Sequence, residues 1–237
     1  MMPRTRQSQS GPEASPEQPR VVDCPQCEAP VAVKPVTVLR PRSGDLKRLF
    51  KGELNRVTCE ACQAAFVLDV PILYRDDEGR FMVYFIAEAD PAQWPECERR
   101  MQAVTAEIFT QASGQVPPSC RLVTDRSALI EKIALHERGF DDRIIEYIKY
   151  QLYQTPGGSA RLDPVRQRLL YDFSSDPADG RLAFVVFDRE HGRATAGAHL
   201  PIEVYREVAE AFSTNLGMRD ELESLFPGYM VSVDRIL

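Results

Sequence analysis

The sequence predicts an α+β fold, in which strands and helices group along the chain and do not alternate as βαβ units. Three observations predict it. Short strand patterns surround two cysteine pairs near the N terminus, three helical patterns follow in the middle, and a second group of strands precedes the last helices. We therefore expect a strand-rich N-terminal domain with a helical extension, followed by a small C-terminal α+β domain.

The composition is that of a globular protein that can bury a core. Of the 237 residues, 43% are hydrophobic and 27% are charged, and the net charge is −6. Residues 1–20 carry four prolines and almost no apolar side chains, so we expect a disordered tail without an export signal. The longest apolar run, Phe81–Ala87, is too short to cross a membrane, so a cytoplasmic protein with reduced cysteines is expected.

The spacing of apolar residues predicts the strands and the helix of the N-terminal domain. Alternating valines predict a strand over 31–38, which Pro35 disturbs. Apolar residues at helical spacing then predict a short helix over 46–50 that Gly52 ends. Alternation predicts a strand over 66–70, and the turn at 76–79 before the apolar run at 81–86 predicts a β-hairpin.

The helical extension and the C-terminal domain are predicted in the same way. Asp90-Pro91 starts a helix with an apolar face, and Cys120–Thr124 forms a strand. A second helix carries Leu129, Ile130 and Ile133 and stops by Gly139. A third helix, capped by Asp141 or Asp142, carries Ile144, Ile145, Ile148 and Leu152. The breaker cluster Thr155–Ser159 marks the domain boundary, giving domains at 21–154 and 160–237. Beyond it we expect strands over 169–173, 181–188 and 193–199, two helices from Pro201 onwards, and a last strand over 229–233.

Four cysteines form the strongest motif in the sequence. Cys24 and Cys27 make one Cys-x-x-Cys pair, and Cys59 and Cys62 make another. Two such pairs beside strands are typical of a tetrahedral structural Zn²⁺ site, and four thiolates leave no open position for a catalytic water. The 31 intervening residues exceed the usual gap, but the predicted strand–helix–strand content accounts for the excess.

Of two alternatives to zinc, a redox dithiol is disfavoured and an iron–sulfur cluster stays open on spacing alone. A redox dithiol would place its Cys-x-x-Cys at the start of a helix, whereas a strand is predicted directly after Cys62. An iron–sulfur cluster uses the same four thiolates. The other two cysteines, Cys97 and Cys120, fit core positions, and the three histidines are scattered with no ligand spacing.

The chain resembles the CpXC family, whose proteins are of uncharacterised function and carry a Cys-Pro-x-Cys motif. The resemblance covers about residues 21–152 and rests on the two cysteine pairs, on Pro71–Asp76, and on the run Gly139–Glu146. It implies a zinc-ribbon-like fold and zinc, and it implies no reaction. The chain departs from the pattern at Glu60, where the family prefers proline. Glu28 and Gln63 also stand where ribbon knuckles carry glycine, which adopts positive φ easily.

The segment between the two Cys-x-x-Cys motifs, which we call the knuckles, is basic. Residues 28–58 hold seven Lys and Arg against three Asp and Glu, which gives +4 within a protein of −6. These charges are either a surface for phosphate or a partner, or a solvated helix face that balances the zinc–thiolate charge. The candidate contact residues are Arg40, Arg42, Lys47, Arg48 and Lys51.

Four acidic residues invite a catalytic or second metal interpretation. Asp142 and Glu146 share a helix face, with Asp141 and Glu131 nearby in the predicted helices. The competing interpretation, which we favour, makes Asp141 or Asp142 a helix cap and Glu146 a solvated residue. No phosphate-binding or nucleophile motif is present in the sequence, so no catalytic residue is predicted.

The expected function is that of a zinc-binding adaptor, not an enzyme, which holds a protein partner through its zinc ribbon. A nucleic-acid-associated ribbon that uses the basic insert is the second hypothesis. An enzyme with its site in the cleft between the two domains is the third.

Overall fold

Two short antiparallel hairpins open the fold. The computed structural model describes residues 19–87, 90–110, 118–155 and 162–237. The first hairpin pairs β1 (Arg20–Asp23) with β2 (Pro30–Val33), and the second pairs β4 (Arg56–Thr58) with β5 (Ala65–Val67). The expected disordered tail lies outside the described residues, except that Arg20 already belongs to β1.

A short helix and a short strand connect the two hairpins. The strand predicted over 31–38 is broken after β2, and only β3 (Val38–Leu39) continues, in a different sheet. The helix α1 (Gly44–Phe50) begins at Ser43, whose side chain accepts a hydrogen bond from the Leu46 amide. It ends before Gly52, whose φ of 71° lies in the left-handed region that favours glycine.

A four-stranded mixed sheet forms the centre of the molecule. Its order is β3, β6 (Ile72–Arg75), β7 (Phe81–Phe85) and β8 (Ser119–Val123). The predicted hairpin is confirmed at β6 and β7, although its first strand begins later than expected. Strands β7 and β8 are parallel and are joined across α2 (Trp94–Thr110), a βαβ connection that the sequence pattern did not predict.

Both faces of this sheet are covered. One face packs against α1 and α3 (Arg126–Glu137), and Tyr74, Phe85, Leu129 and Ile133 are at most 1% exposed there. The other face packs against α2 and the segment around Met230. Burial on both faces accounts for the nearly continuous apolar sequence of β7.

The C-terminal part is a three-stranded antiparallel meander with helices. Its strands are β9 (Gln167–Tyr171), β10 (Arg181–Asp188) and β11 (Arg193–Pro201), with β10 in the middle. The helices are α4 (Asp142–Gln154), α5 (Ile202–Thr214) and α6 (Leu216–Leu225). The strand predicted over 229–233 is wrong: the Tyr229 carbonyl accepts one hydrogen bond from Leu122, and a 3₁₀ turn follows at Val233–Arg235.

The largest core cluster contains residues from both sides of the predicted domain boundary. Ile145 and Ile148 of α4 pack with Leu169, Phe184 and other residues of the C-terminal sheet. Residues 156–161, where most of the expected linker falls, lie outside the described residues. The division into separate domains at 21–154 and 160–237 stays a prediction. The shared core favours one cooperative folding unit.

In the part of the chain that the structure describes, no helix combines the length and the apolar character needed to cross a membrane.

Candidate functional site

The two cysteine pairs sit at the ends of the two N-terminal hairpins. In the first knuckle the Cys24 amide donates to the Ala29 carbonyl at 2.9 Å, and in the second the Cys59 amide donates to the Ala64 carbonyl at 2.8 Å. The strands therefore hold both pairs in the same backbone geometry. The two motifs, which are distant in sequence, lie next to each other in the fold.

The residue after each second cysteine has a left-handed backbone. Glu28 has φ 58° and Gln63 has φ 60°, and their amides donate to the carbonyls of Cys24 and Cys59. These are the positions where the sequence departs from the usual glycine. Both turns keep the backbone conformation that glycine adopts easily, although a residue with a side chain is less stable in it.

The four sulfur atoms form a compact cage. Cys24 Sγ lies 3.7 Å from Cys62 Sγ, and Cys27 Sγ lies 3.7 Å from Cys59 Sγ. All four sulfurs lie within 4.8 Å of one another. A tetrahedral Zn²⁺ with Zn–S bonds of about 2.3 Å places its sulfurs about 3.8 Å apart, so the cage fits one such ion.

The same sulfur–sulfur distances test the alternatives to a zinc site. A disulfide needs about 2.05 Å between its sulfurs, which neither of these two sulfur pairs approaches. An iron–sulfur cluster holds several atoms between its thiolates and needs a wider cage than one ion. Both motifs lie in hairpin turns, not at the start of a helix, so the redox-dithiol arrangement is absent among the described residues.

Burial differs between the four thiols, and the pKa values of Cys24 and Cys27 are shifted in opposite directions. Cys24 and Cys59 are each 1% exposed, whereas Cys27 is exposed. The Gln26 amide, 3.5 Å from the sulfur, does most to lower the pKa of Cys24, to about 7. The Ala29 amide acts to lower the pKa of Cys27, but the Cys62 thiol and partial burial raise that pKa to about 12. A metal ion that enters this cage must therefore displace protons.

The basic insert connects the two knuckle hairpins, and ion pairs neutralise part of its charge. Arg42 forms an exposed ion pair with Asp77, and Arg48 forms one with Asp45 at 3.1 Å. Three of the five candidate contact residues have no ion pair in the described part of the chain: Arg40, Lys47 and Lys51. All five are exposed.

A groove of about 230 Å³ runs between the two hairpins. Lys34, Arg48 and Arg56 line it together with main chain and small apolar residues. Asn55 fixes its floor, since its side chain accepts from the Val36 amide at 2.7 Å and donates to the Val36 carbonyl at 2.9 Å. The sequence indicated the local charge but not that three cations would border one groove.

The acidic residues singled out in the sequence have a different role from the one expected. Asp141 is the cap of α4 and accepts from the Arg143 amide, as predicted. Glu146 was expected to be solvated, which is wrong: it is 2% exposed. Asp142 and Glu131 are 4% exposed, so all three carboxylates are inside the protein.

These carboxylates alternate with three buried cations in one chain of ion pairs. Arg121 binds Asp142 through two nitrogens at 2.8 Å, and Lys132 bridges Asp142 and Glu146 at 3.1 and 2.9 Å. Lys149 then bridges Glu146 and Glu131, at 3.0 and 2.7 Å. The members, none more than 5% exposed, are Arg121, Asp142, Lys132, Glu146, Lys149 and Glu131.

The chain of ion pairs joins separate parts of the fold. Glu146 accepts a hydrogen bond from the Val233 amide at 2.9 Å, and Glu131 accepts one from the Tyr171 amide. Burial acts to raise the pKa of Glu146, but Lys132 and Lys149 outweigh it and lower that pKa to about 2. Burial likewise opposes the ionisation of Asp142, whose pKa Lys132 and Arg121 nevertheless lower. The balanced charges are therefore structural.

A cleft of about 320 Å³ lies beside this network, where the third hypothesis expected an active site. Trp94, Leu122 and Met230 form an apolar wall. Four carboxylates also line the cleft, and within the described residues each is already paired with a cation: Asp125, Glu131, Glu146 and Asp234. The cleft thus presents no unpaired carboxylate that could serve as a general acid or base.

The remaining cysteines lie in the core, as expected. Cys97 and Cys120 are each 7% exposed and pack with Met101 and Leu122. Burial raises the pKa of Cys120, although the nearby Arg121 opposes that effect. Neither cysteine is in a disulfide or in the four-sulfur cage.

Both cysteine pairs lie within a region that matches a known protein family. A family model described as CpXC protein matches residues 22–149, which is more than half of the chain and includes both cysteine pairs. No curated protein and no solved structure matches.

Proposed function

The chain belongs to the CpXC family, and we propose that it is a zinc-stabilised adaptor that binds an acidic segment of a protein partner. The observation that carries the proposal is the closed cage of four thiols beneath two exposed hairpins. Four thiolates complete the coordination of Zn²⁺, so the metal would hold a surface in place and would not bind substrate.

The surface that the metal would stabilise is the basic groove. Lys34, Arg48 and Arg56 line it, and all three side chains are exposed. Arg56 is the first residue of β4 in the second knuckle hairpin, so loss of the metal would release this side of the groove. An extended acidic peptide suits a narrow basic groove, because its carboxylates can pair with several arginines and lysines along one path.

The nucleic-acid hypothesis has weaker support from the same surface. Only one aromatic residue, Phe50, lies in the insert, and its ring packs edge-on against Phe173 at 5.2 Å. It is therefore not free to stack on a base. The net charge of −6 also opposes a duplex that extends beyond the groove.

Catalysis in the cleft is not part of the proposed function, because the cleft's carboxylates are held in ion pairs. Thiolate ligands must stay reduced to bind metal, so the proposed compartment is a reducing one such as the cytosol.

Binding of a labelled glutamate-rich peptide and of a labelled DNA duplex tests the proposal at about 0.15 M salt. We expect the metal-loaded protein to bind the peptide and not the duplex. Reversing the groove charges together (Lys34→Glu, Arg48→Glu, Arg56→Glu) should abolish peptide binding. A matched control reverses three exposed arginines outside the groove: Arg181, Arg206 and Arg219. Duplex binding in preference to the peptide, or equal losses in both triple variants, would overturn the proposal.

A further inference from the structure

The outer edge of β11 has no partner strand among the described residues. β11 runs over nine residues and pairs with β10 on one side only. Residues 193–197 are all exposed, as are His199 and Pro201. An antiparallel edge of this length presents a row of unpaired amides and carbonyls, which natural proteins usually shield.

The pairing of the sheet identifies the outward-facing groups. The amides of Leu169 and Tyr171 point away from β10, so the alternate β9 residues face β10. In β10 the residues that face β11 are therefore Leu182, Phe184 and Val186, whose partners are Leu200, Ala198 and Ala196. The main-chain groups of Gly197 and His199 consequently face outward. No hydrogen bond to them occurs within the described residues.

The opposite edge of the same sheet is closed by side chains. The Tyr153 hydroxyl accepts from the Leu169 amide at 3.0 Å and donates to the Gln167 carbonyl at 3.1 Å. Glu131 accepts from the Tyr171 amide. One edge of this sheet is thus satisfied within the chain, and the other has no partner in the part of the chain that the structure describes.

We propose that β11 pairs antiparallel with β11 of a second copy, so that two three-stranded sheets become one six-stranded sheet. The two-fold axis passes through Ala198. In this register Gly197 of each copy lies opposite His199 of the other, and the two pairs exchange about four main-chain hydrogen bonds. This inference is independent of the metal and of the proposed function.

Sequence and charge fit this register. Between Ala194 and Leu200 the side chains are small or neutral apart from His199, which faces Gly197 of the other copy and not its own equivalent. Arg193 of one copy comes opposite Glu203 of the other, just beyond the strand. The register shift opposite Val186 and Phe187 leaves Thr195 as the extra residue, so it lies outside the paired segment 196–200.

The mass in solution tests this pairing. Light scattering on the full chain should give about twice 26.8 kDa at high concentration and a lower mass on dilution. His199→Pro removes one outward amide and no bond to β10, so it should weaken self-association at least tenfold. His199→Ala keeps the amide and should dimerise like the wild type. Circular dichroism confirms that both variants are folded. A wild type that stays monomeric, or a dimer that His199→Pro leaves unchanged, would overturn the proposal.

A crosslink tests the register separately. Opposed residues of a non-hydrogen-bonded pair lie about 4.5 Å apart at Cα, within reach of a disulfide. The Ala198→Cys variant should therefore form a disulfide between the introduced thiols of two copies on mild oxidation, whereas Ala194→Cys should not. Equal crosslinking at both positions would contradict the axis at Ala198.

Discussion

Glu28 and Gln63 occupy equivalent positions in the two knuckles, each directly after the second cysteine and each in the left-handed region, with φ 58° and 60°. Each amide donates to the carbonyl of the first cysteine of its own pair. The turn that favours glycine is thus formed twice by other residues. Replacing either residue with glycine should therefore stabilise its turn.

Gln63→Gly is predicted to stabilise the protein. Glycine removes the cost of a side chain in the left-handed conformation, which outweighs the extra freedom it gives the unfolded chain, so a net gain of about 1 kcal/mol is expected. Urea unfolding of the metal-loaded protein measures it. Gly52→Ala is the matched control, and this substitution should destabilise the protein. Its φ is 71° and nothing lies within 4 Å of a new Cβ, so any loss comes from the backbone alone. Equal effects of the two substitutions would contradict the backbone explanation.

Lys149→Met is predicted to destabilise the protein by about 3–5 kcal/mol. The substitution leaves Glu131 and Glu146 buried with one cation fewer, and a buried charge without its partner is costly. Arg206→Met provides the control, because its pair with Glu203 is exposed and should contribute less than about 1 kcal/mol. Similar losses for both variants in urea unfolding would show that the network is no more important than a surface pair.

Acid is predicted to remove part of this stability. The pKa of Glu146 is about 2 in the folded protein against a usual value of 4.5, because Lys132 and Lys149 outweigh the effect of burial. Its contribution is therefore complete above about pH 4.5 and is lost as the pH falls towards 2.

Comparison with Glu146→Gln isolates this effect, because glutamine cannot titrate. The wild type should be more stable than the variant above pH 5 by about 3 kcal/mol, and the difference should shrink in acid. Metal release in acid affects both proteins and cancels in the comparison. A difference that does not change with pH would show that Glu146 does not titrate as described.

Cleavage within Thr155–Ser159 is predicted to leave the two pieces together. The sequence predicts that this segment is the first internal site cut by protease, after the tail before Val21 is trimmed. Ile145 and Ile148 on one side pack with Leu169 and Phe184 on the other, so the nicked protein should elute as one species. The fragment 162–237 expressed alone should lack stable structure by circular dichroism. A folded fragment would instead support two independent domains.

The parts of the structure that the sequence predicted depend on local pattern. The cysteine spacing, the cap residue Asp141 and the apolar residues of α4 are all read within a few positions of the chain. The family match agrees with the resemblance inferred from the same motifs.

The parts that were not predicted depend on contacts between distant segments. Glu146 and Lys149 look solvated in a helix pattern, and only the packing of α4 against α3 and Val233 buries them. One signal was present: α3 carries apolar residues on more than one face, which indicates a helix buried on most sides. The parallel pairing of β7 with β8 likewise depends on the path of α2, which no local period encodes.

X-ray absorption at the zinc edge of the purified protein, with elemental analysis of the same sample, tests whether the four cysteines bind one zinc ion. We expect one zinc per chain with four sulfur neighbours at about 2.3 Å and no nitrogen or oxygen ligand. Cys59→Ser should lower the zinc content, whereas Cys97→Ala should leave it unchanged. Iron in place of zinc, a mixed sulfur and oxygen shell, or a folded protein without metal would show that this is not a structural zinc site.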